Sequence, residues 1–351
     1  MPGAIYAEGL KKTFGDVTTL DGMDLSVPSG SVLGLLGPNG SGKTTTVRIL
    51  TTLLGADSGT AMVAGHDVFK DPQKVRLNIG LSGQYAAVDE ILTGRENLQM
   101  IAELFGMSTR HARMRADELL EWSGLTDAGN RQSKTYSGGM RRRLDLAAAM
   151  VGNPPVMFMD EPTTGLDPHN RLLLWEAVEA LVANGTTLLL TTQYLEEADR
   201  LADSISVIDH GKVIASGTSN ELKRLAGHER VELIVRWPEQ FDWTVEFLTR
   251  FGTGKPVTDR SAHQITLPIE GGAKRLGKIL SELDKHNIEV DDIGLRRPTL
   301  DEVFLYLTGE DARQARRNAT VYGEGSPADI REAETTLQLK LTHIVQTTNR
   351  V

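Results

Sequence analysis

The sequence predicts an α/β domain with a mostly parallel core sheet, followed by a small α+β domain. Apolar stretches of strand length alternate with segments of helical apolar spacing from residue 4 to about residue 225. Such alternation is typical of a parallel sheet. A glycine-rich stretch at residues 37–44 lies between a strand pattern and a helix pattern, and a second series of strands and helices begins near Glu229.

Composition and charge narrow the class of protein. The chain has 351 residues and a net charge of -9, which argues against a general nucleic-acid binder, since such a protein needs a basic face. It contains no cysteine, which excludes disulfides and thiolate metal sites and fits a cytosolic protein. We expect no signal peptide from residues 1–4. No apolar stretch approaches the ~20 residues that span a bilayer, so a role at a membrane needs another chain.

The elements of the first domain follow from apolar spacing and turn residues. Residues 15–16 and 28–30 are turn signals between the first three strands. Thr93 and Glu96 predict a capping box at the start of a helix. Strands are predicted at residues 4–14, 17–27, 32–36, 156–159, 187–191, 205–208 and 212–216, and helices at 44–54, 93–122 with a break at Gly106, 141–150, 171–183 and 195–202.

The second domain is predicted from Glu229 to Gly309, a length of about eighty residues that lies within the usual range for a domain. Its pattern predicts strands at residues 231–237, 263–267 and 288–295, and helices at 241–251, 273–286 and 300–307. The chain therefore divides into a first domain at residues 1–228, a second at 229–309, and residues 310–351. We expect this last segment to be a charged, flexible tail with one short helix near residues 330–345.

The glycine-rich stretch fits the Walker A pattern of a phosphate-binding loop. Its backbone N–H groups are expected to cradle phosphate oxygens, Lys43 to place a positive charge on the outer phosphates, and the Thr44 hydroxyl to suit Mg²⁺. The alternative is a glycine-rich turn that caps a helix. The expected ATP-binding residues here are Gly37, Pro38, Asn39, Gly40, Ser41, Gly42, Lys43, Thr44 and Thr45.

A second short stretch indicates the family. Residues 136–140 read Tyr-Ser-Gly-Gly-Met and resemble the Leu-Ser-Gly-Gly-Gln signature of ATP-binding-cassette (ABC) proteins, with departures at the first and last positions. The core of Ser137, Gly138 and Gly139 is intact at the start of a predicted helix, where N–H groups and a hydroxyl suit an anion. A simple helix cap at Ser137 is the alternative.

Two further motifs follow the signature in the order of this family. The apolar strand 156–159 leads to Asp160 and Glu161 and resembles a Walker B strand. The resemblance implies that Asp160 serves the Mg²⁺ site and that Glu161 is the general base that polarises the attacking water. Residues 164–167 resemble the D-loop, which ends at Asp167. A surface turn is the alternative for the Asp-Glu pair.

Three single residues complete the implied site. Gln84 lies where the glutamine of the family's Q-loop reaches Mg²⁺; a solvated loop amide is the alternative. Phe14 lies where an aromatic ring stacks on adenine in the family; burial in a core is its alternative. Gln193 replaces the family's usual histidine near the γ-phosphate. An amide can donate a hydrogen bond but carries no charge and shuttles no proton, which favours Glu161 as the base.

Further stretches resemble the daunorubicin-resistance subfamily of ABC ATPase subunits, namely residues 191–198, 136–143 and 295–304. The resemblance implies a P-loop NTPase fold with a β-sandwich arm and a helical subdomain, and ATP and Mg²⁺ as ligands. It also implies a head-to-tail dimer of two copies and an integral-membrane permease partner, met by residues 85–95. The protein would then act at the cytoplasmic face of the cell membrane, and the second domain would serve dimerisation or regulation.

The sequence disfavours two alternatives to an exporter subunit. A soluble, non-transport ABC ATPase is disfavoured because the chain has a single cassette and no heptad insertion. A catalytically idle cassette is disfavoured because Lys43, Asp160 and Glu161 are intact. The basic run at residues 141–143 suggests either a membrane contact or, by preference, a solvated helix face.

Overall fold

A computed structural model of the chain describes residues 3–83, 88–227 and 229–309. The chain divides into two compact units, Met1–Ser219 and Asn220–Val351. The strands are β1 Ile5–Phe14, β2 Val17–Val27, β3 Val32–Leu36, β4 Ser58–Val63, β5 His66–Asp67, β6 Ile79–Ser82, β7 Val156–Asp160, β8 Thr187–Thr192, β9 Ser204–Asp209, β10 Lys212–Gly217, β11 Arg230–Val235, β12 Val257–Asp259, β13 Gln264–Pro268 and β14 Val290–Arg296. The helices are α1 Lys43–Leu50, α2 Pro72–Leu77, α3 Gly94–Leu104, α4 Thr109–Trp122, α5 Gly138–Ala149, α6 Pro168–Ala183, α7 Leu195–Leu201, α8 Ser219–Leu225, α9 Phe241–Leu248, α10 Gly272–Lys285 and α11 Leu300–Thr308.

The centre of the first unit is a six-stranded sheet in the order β10-β9-β3-β8-β7-β6. Each neighbouring pair is parallel except β9 with β10, which form the hairpin predicted around Gly211. The predicted mostly parallel sheet is confirmed. Because β3, β8 and β7 are neighbours, the segments that follow them meet at one edge of the sheet, where α/β proteins bind their ligands.

Strand β7 shows why the central strands have uninterrupted apolar sequences. Val156 and Phe158 belong to the apolar core that includes α1. Met157 and Met159, which point to the other face, belong to the core that includes α5 and α6. Both faces of the sheet are therefore covered, as is usual for parallel sheets.

The remaining parts of the first unit match the arm and helical subdomain expected from the resemblance. Strands β2-β1-β4-β5 form a separate antiparallel sheet. Helix α3 begins at the predicted capping box, in which Thr93 accepts from the Glu96 N–H and the Glu96 side chain accepts from the Thr93 N–H. Ser108 caps the start of α4, so the predicted break near Gly106 is also confirmed.

Some elements differ from the sequence prediction. Helix α1 ends at Leu50 rather than at 54, since Thr52 adopts a positive φ of 64°. Helix α5 begins three residues before its predicted start because Gly138 and Gly139 are helical. Strands β4, β5, β6 and β12 and helices α2 and α8 were not predicted; β6, for example, has four residues, too few for a periodic pattern.

The second unit contains a four-stranded antiparallel sheet in the order β12-β13-β11-β14, with α9, α10 and α11. Val231, Leu233 and Val235 alternate along β11 and are buried in its apolar core. This is the small α+β fold expected from the sequence. The contact boundary after Ser219 lies nine residues before the predicted end of the first domain at 228. The expected tail at 310–351, with its helix near 330–345, lies outside the described residues.

Membrane-spanning helices were sought in the parts of the chain that the structure describes. None of the helices there is both long enough and apolar enough to cross a bilayer.

Candidate ATP site

The predicted phosphate loop connects β3 to α1 at the ligand-binding edge of the sheet. Gly42 precedes the helix with a φ of +110°, which favours glycine, and a Cβ at this position would lie 2.6 Å from Leu20 Cδ2. At Gly37 a Cβ would lie 2.4 Å from the carbonyl oxygen of Ile208. The loop can therefore approach its neighbours this closely only with glycine at both positions.

Lys43 is the first residue of α1 and is buried, with 4% of its surface exposed. Its Nζ donates to the carbonyl oxygens of Gly37, at 2.9 Å, and Pro38, at 3.1 Å. It also lies 3.5 Å from Glu161 Oε1. Burial lowers the pKa of the Lys43 ammonium, and the charge of Glu161 opposes that shift. The ammonium is thus held inside the loop at the position where a phosphate-binding cation is needed.

Asp160 ends β7 and is buried beside the phosphate loop. Its Oδ1 accepts from Thr44 Oγ1 at 3.2 Å and from Thr191 Oγ1 at 2.5 Å. Asp160 and Thr191 are paired residues of neighbouring parallel strands. The hydrogen bond from Thr44, on α1, brings together the two predicted metal residues that the structure describes, Thr44 and Asp160.

Glu161 lies in the turn directly after β7, 9% exposed and with a positive φ of 51°. This φ is uncommon for a residue with a side chain and carries a conformational cost that functional sites often bear. Its N–H donates to the Thr191 carbonyl oxygen at 3.0 Å and approaches Thr191 Oγ1 at 3.1 Å. Thr164 Oγ1 lies 3.5 Å from Glu161 Oε2. The turn aims the carboxylate at Lys43 rather than along the strand.

Lys43, Thr44 and Glu161 border a cavity of about 310 Å³, a volume in the range of small-molecule sites. Ser41 Oγ is buried and has no hydrogen-bond partner among the described residues. A buried hydroxyl of this kind can donate a hydrogen bond to an acceptor atom of a ligand. The cavity is lined by Thr19, Asn39, Gly40, Gly42, Lys43, Thr44, Thr45 and Glu161. A polar, glycine-rich cradle with a buried ammonium fits a nucleotide phosphate chain.

The predicted signature residues lie at the start of α5 and not in this cavity. Ser137 is exposed, and its Oγ accepts from the Met140 N–H at 3.2 Å, so it caps the helix. Gly138 is also exposed, whereas Gly139 is buried; a Cβ at 139 would lie 2.2 Å from Asn170 Oδ1. Within one copy, then, the signature faces outward and contributes nothing to the lining of the phosphate cavity.

Asp167, the last residue of the predicted D-loop, caps α6. Its Oδ1 accepts from the Asn170 N–H at 3.0 Å and its Oδ2 from Asn170 Nδ2 at 2.6 Å. These bonds, the backbone one first, lower the pKa of the Asp167 carboxyl. Asp167 is exposed and, like the signature, does not line the cavity.

The remaining predicted site residues lie at the surface or outside the described residues. Gln193 is exposed, and the structure gives it no hydrogen bond within the described parts of the chain. Phe14 is 48% exposed, with Lys12 Nζ 5.5 Å from its ring centroid. The alternative interpretation of Phe14, burial in a core, is therefore wrong. Gln84 and residues 85–87 lie outside the described residues.

Sequence reasoning missed two contributors to the site. Thr191 bonds both Asp160 and the Glu161 backbone; the signal was a polar residue at the end of a buried parallel strand. Arg142 is 8% exposed and donates a hydrogen bond to the carbonyl oxygen of Pro162, the residue after Glu161. The prediction of a solvated helix face at residues 141–143 is therefore wrong for Arg142. The signal was helical spacing, since Gly139, Arg142 and Leu146 recur on the buried face of α5.

Comparisons with known proteins agree with this geometry. The ABC transporter family model matches residues 20–164, and the model described as ATP-binding protein DrrA1-3-like, C-terminal domain, matches residues 217–308. Daunorubicin resistance ATP-binding protein DrrA2 of Streptomyces coeruleorubidus is 54% identical over 87% of this chain and 95% of that protein. Daunorubicin/doxorubicin resistance ATP-binding protein DrrA of Streptomyces peucetius is 51% identical over 88% of this chain and 93% of its own length.

A solved structure extends the comparison to the fold. A dimeric bacterial ABC transporter cassette matches 61% of this chain and 98% of its own with a TM-score of 0.57 and 25% identity. The two relatives match 87% and 88% of this chain, and the solved structure matches 61% of it. Together with the phosphate loop, the Asp160–Thr191 pair and Glu161, these matches lead to one conclusion: the chain belongs to the ABC transporter family, as an ATP-binding and ATP-hydrolysing subunit of the daunorubicin-resistance type.

Proposed function

We propose that this chain hydrolyses ATP to drive the export of a drug or a lipid through a separate membrane-spanning partner. The observation that carries the proposal is the convergence of Lys43, Thr44 and Glu161 on one glycine-lined cavity, with Asp160 bonded to Thr44 beside it. The relatives reported above are resistance proteins by name. Nothing in the comparisons supports the alternative of a soluble, non-transport ABC ATPase.

The roles of the site residues follow from their positions. Lys43, buried inside the phosphate loop, binds the outer phosphates as a compact cation. Glu161 accepts the proton of the attacking water, which its carboxylate can reach because the turn at positive φ directs it to the cavity. Gln193 donates to the γ-phosphate and, as an amide, leaves the proton transfer to Glu161. Phe14 offers an exposed ring for stacking on adenine.

The oxygen donors beside the phosphate loop suit Mg²⁺. Thr44 Oγ1 and Asp160 Oδ1 lie 3.2 Å apart, and hydroxyl and carboxylate oxygens are the ligands this hard cation prefers. When bound, Mg²⁺ neutralises charge on the phosphates. Gln84 completes this set by resemblance. Thr191 holds the Asp160 carboxylate in place through its 2.5 Å bond.

Two copies are needed for a complete site. Ser137 and Gly138 are exposed at the N-terminus of α5, where backbone N–H groups attract anions, yet they do not border the cavity of their own copy. We therefore pair two copies head to tail, so that Ser137, Gly138 and Gly139 of one copy, with its Asp167 nearby, close over the ATP of the other. ATP then favours closure because it binds the closed state more tightly, and hydrolysis removes that preference.

The permease is expected to meet the first unit around α3. Ile101 and Phe105 line an open cleft of about 180 Å³ together with β6 and α5. Next to them Leu104 is 80% exposed, and Ile91, in the segment before α3, is 72% exposed. Apolar side chains exposed beside a cleft suit the apolar face of a partner helix. This contact would hold the protein peripherally at the cytoplasmic face of the membrane. The net charge of -9 disfavours nucleic acid as a partner.

The test is transport by the assembled complex. The chain is co-expressed with candidate polytopic membrane proteins of its own organism, and ATP-dependent uptake of daunorubicin or of a labelled lipid is measured in inverted vesicles. We expect uptake with wild type and none with Glu161→Gln, at equal amounts of assembled complex. Equal uptake by both, or co-purification without any ATP-dependent uptake of either compound class, would overturn the proposal.

A further inference from the structure

A buried guanidinium lies behind the ATP site. Arg142, on α5, is 8% exposed. Its Nε donates to the carbonyl oxygen of Pro162 at 2.6 Å, and its Nη1 donates to the carbonyl oxygen of Gly83. Asp145, one turn further along α5, lies 3.5 Å from Nη1 and accepts from Ser82 Oγ at 2.7 Å. One side chain thus bonds backbone of two separate segments.

Both of these segments are parts of the site. Pro162 directly follows Glu161, and Gly83 is the last described residue before Gln84. The helix that carries Arg142 begins at the signature, where Ser137 caps it. Arg142 is therefore the point at which the signature helix, the segment before Gln84 and the turn that holds Glu161 are connected.

The turn at Glu161 needs such a connection. On its N-terminal side the Glu161 N–H is held by Thr191. On its C-terminal side the Glu161 carbonyl oxygen accepts from the Thr164 N–H at 3.3 Å. Pro162 has no N–H to donate, so its own carbonyl oxygen is the backbone group by which this residue can be held, and Arg142 holds it. A residue kept at a positive φ of 51° stays there when its surroundings fix it on both sides.

Packing alone does not account for this side chain. A buried ion pair is often no more stabilising than apolar residues of the same volume, and Arg142 Nη2 is buried without a hydrogen-bond partner among the described residues. What arginine offers is a rigid plane of five N–H donors, which can bond two carbonyl oxygens in fixed relative positions. Neighbouring Arg141 is partly exposed and pairs with Glu90, so burial is specific to position 142.

We propose that Arg142 is a positioning residue for ATP hydrolysis, which fixes the turn of Glu161 against the segment before Gln84 and the signature helix. The inference rests on the proposed role of Glu161 as general base. Arg142 does not line the cavity, and its hydrogen bonds to Pro162 and Gly83 are outside the phosphate loop. It therefore acts on the rate of hydrolysis and leaves the binding of ATP unchanged.

The test substitutes Arg142→Lys, which keeps the charge beside Asp145 but loses the planar pair of donors. We expect kcat for ATP to fall about tenfold, as for a small displacement of a catalytic group, with KM and the affinity for a fluorescent ATP analogue within twofold of wild type. The matched control is Arg143→Lys on the same helix, since Arg143 bonds the Ser123 carbonyl oxygen, away from the site; its kcat should stay within twofold. Equal kcat in Arg142→Lys and wild type would overturn the proposal.

A second measurement separates positioning from structural support. If Arg142 acts through Glu161, Arg142→Lys should cost less than twofold in a Glu161→Asp background, where the base is already displaced. A tenfold loss in both backgrounds would contradict action through Glu161. Asp145→Asn, which keeps the shape of the partner, should also lower kcat without raising KM; if both variants instead raise KM in step with a lower melting temperature, the role is structural and the proposal fails. Full turnover in Glu161→Gln would refute the proposed base itself, a separate outcome.

Discussion

The two units of the chain treat charge in opposite ways. In the first unit Lys43, Arg142, Asp160 and Glu161 are at least nine-tenths buried. In the described part of the second unit the one buried polar side chain is that of Thr244. Of the ion pairs there, Arg236 with Glu289 and Asp291 is exposed, and Arg230 with Glu232 and Glu302 is only partly buried. Burying a charged side chain costs free energy, so buried charges are concentrated at functional sites. The comparison therefore assigns chemistry to the first unit and leaves packing as the main role of the second unit's core.

The most direct test of this contrast between the two units is a substitution of Glu161 in the first unit. Glu161→Gln removes the base but keeps the volume, and we expect kcat for ATP to fall by a factor of about 10² or more, since general-base catalysis contributes about 10²–10⁴. ATP should remain bound and favour the dimer, which size-exclusion chromatography with ATP would detect. The control is Glu121→Gln on the exposed face of α4, which should behave as wild type. Undiminished turnover in Glu161→Gln would remove this residue as the base.

The buried threonine behind the acidic pair is the next test. Thr191→Val removes the hydroxyl that bonds Asp160, and a buried acceptor left without its donor costs about 1–3 kcal/mol. We expect a rise of about tenfold in the Mg²⁺ concentration needed for half-maximal ATPase activity. Thr187→Val is the matched control, because Thr187 is buried at the start of the same strand and bonds Gly30 instead. An unchanged Mg²⁺ requirement would show that Asp160 does not depend on this bond.

A smaller effect is expected at the exposed edge of the site. Gln193→Ala removes one donor to the γ-phosphate, and a hydrogen bond to a charged group contributes about 1.5–3 kcal/mol. Because Gln193 is exposed to solvent, we expect the low end of this range, a fall in kcat of about tenfold. Gln193→His should keep at least half of the wild-type rate. Steady-state ATPase assays measure kcat of these variants, with Glu196→Gln at an exposed position as the control. A wild-type rate in Gln193→Ala would exclude a phosphate contact.

The smallest effect is predicted in the second unit. Bonds to Asp291 and then Glu289 raise the pKa of Arg236, but the group is exposed, so solvent screens the gain. Arg236→Ala should leave kcat and KM for ATP unchanged and shift the melting temperature by no more than about 2–4 °C. Leu233→Ala in the buried core of the same sheet should instead lower the melting temperature clearly, since core truncations of this kind cost about 2–5 kcal/mol. A large loss of ATPase activity in Arg236→Ala would break the contrast between the units.

Most of the site could be predicted from sequence because its residues follow strands in a fixed order. The phosphate loop after β3 and the acidic pair after β7 are local patterns, and a parallel sheet brings the ends of its strands to one edge. Arg142 could not be found in this way. Its hydrogen-bond partners lie 59 and 20 residues away in sequence, and both are backbone carbonyl oxygens, which leave no residue signal.

The same distinction holds for the fold: elements set by neighbouring residues were predicted from the sequence, and elements set by contacts between distant residues were not. The capping box of Thr93 and Glu96 marked a helix start correctly, because a cap depends on three or four neighbouring residues. Strand β6 was missed, since its four residues are strand only by pairing with β7. The domain boundary differed by one helix, α8, whose place in either unit depends on contacts that no local pattern records.

The close packing of Gly139 against Asn170 has a consequence for sequence variation among related proteins. Asn170 lies within the reach of a Cβ at 139 and also bonds Asp167, so the beginnings of α5 and α6 share a single steric constraint. A side chain at 139 would require a smaller residue at 170, and that change would remove the side-chain bond to Asp167. Positions 139, 167 and 170 should therefore covary, and the two surfaces expected to face a second copy should evolve as one.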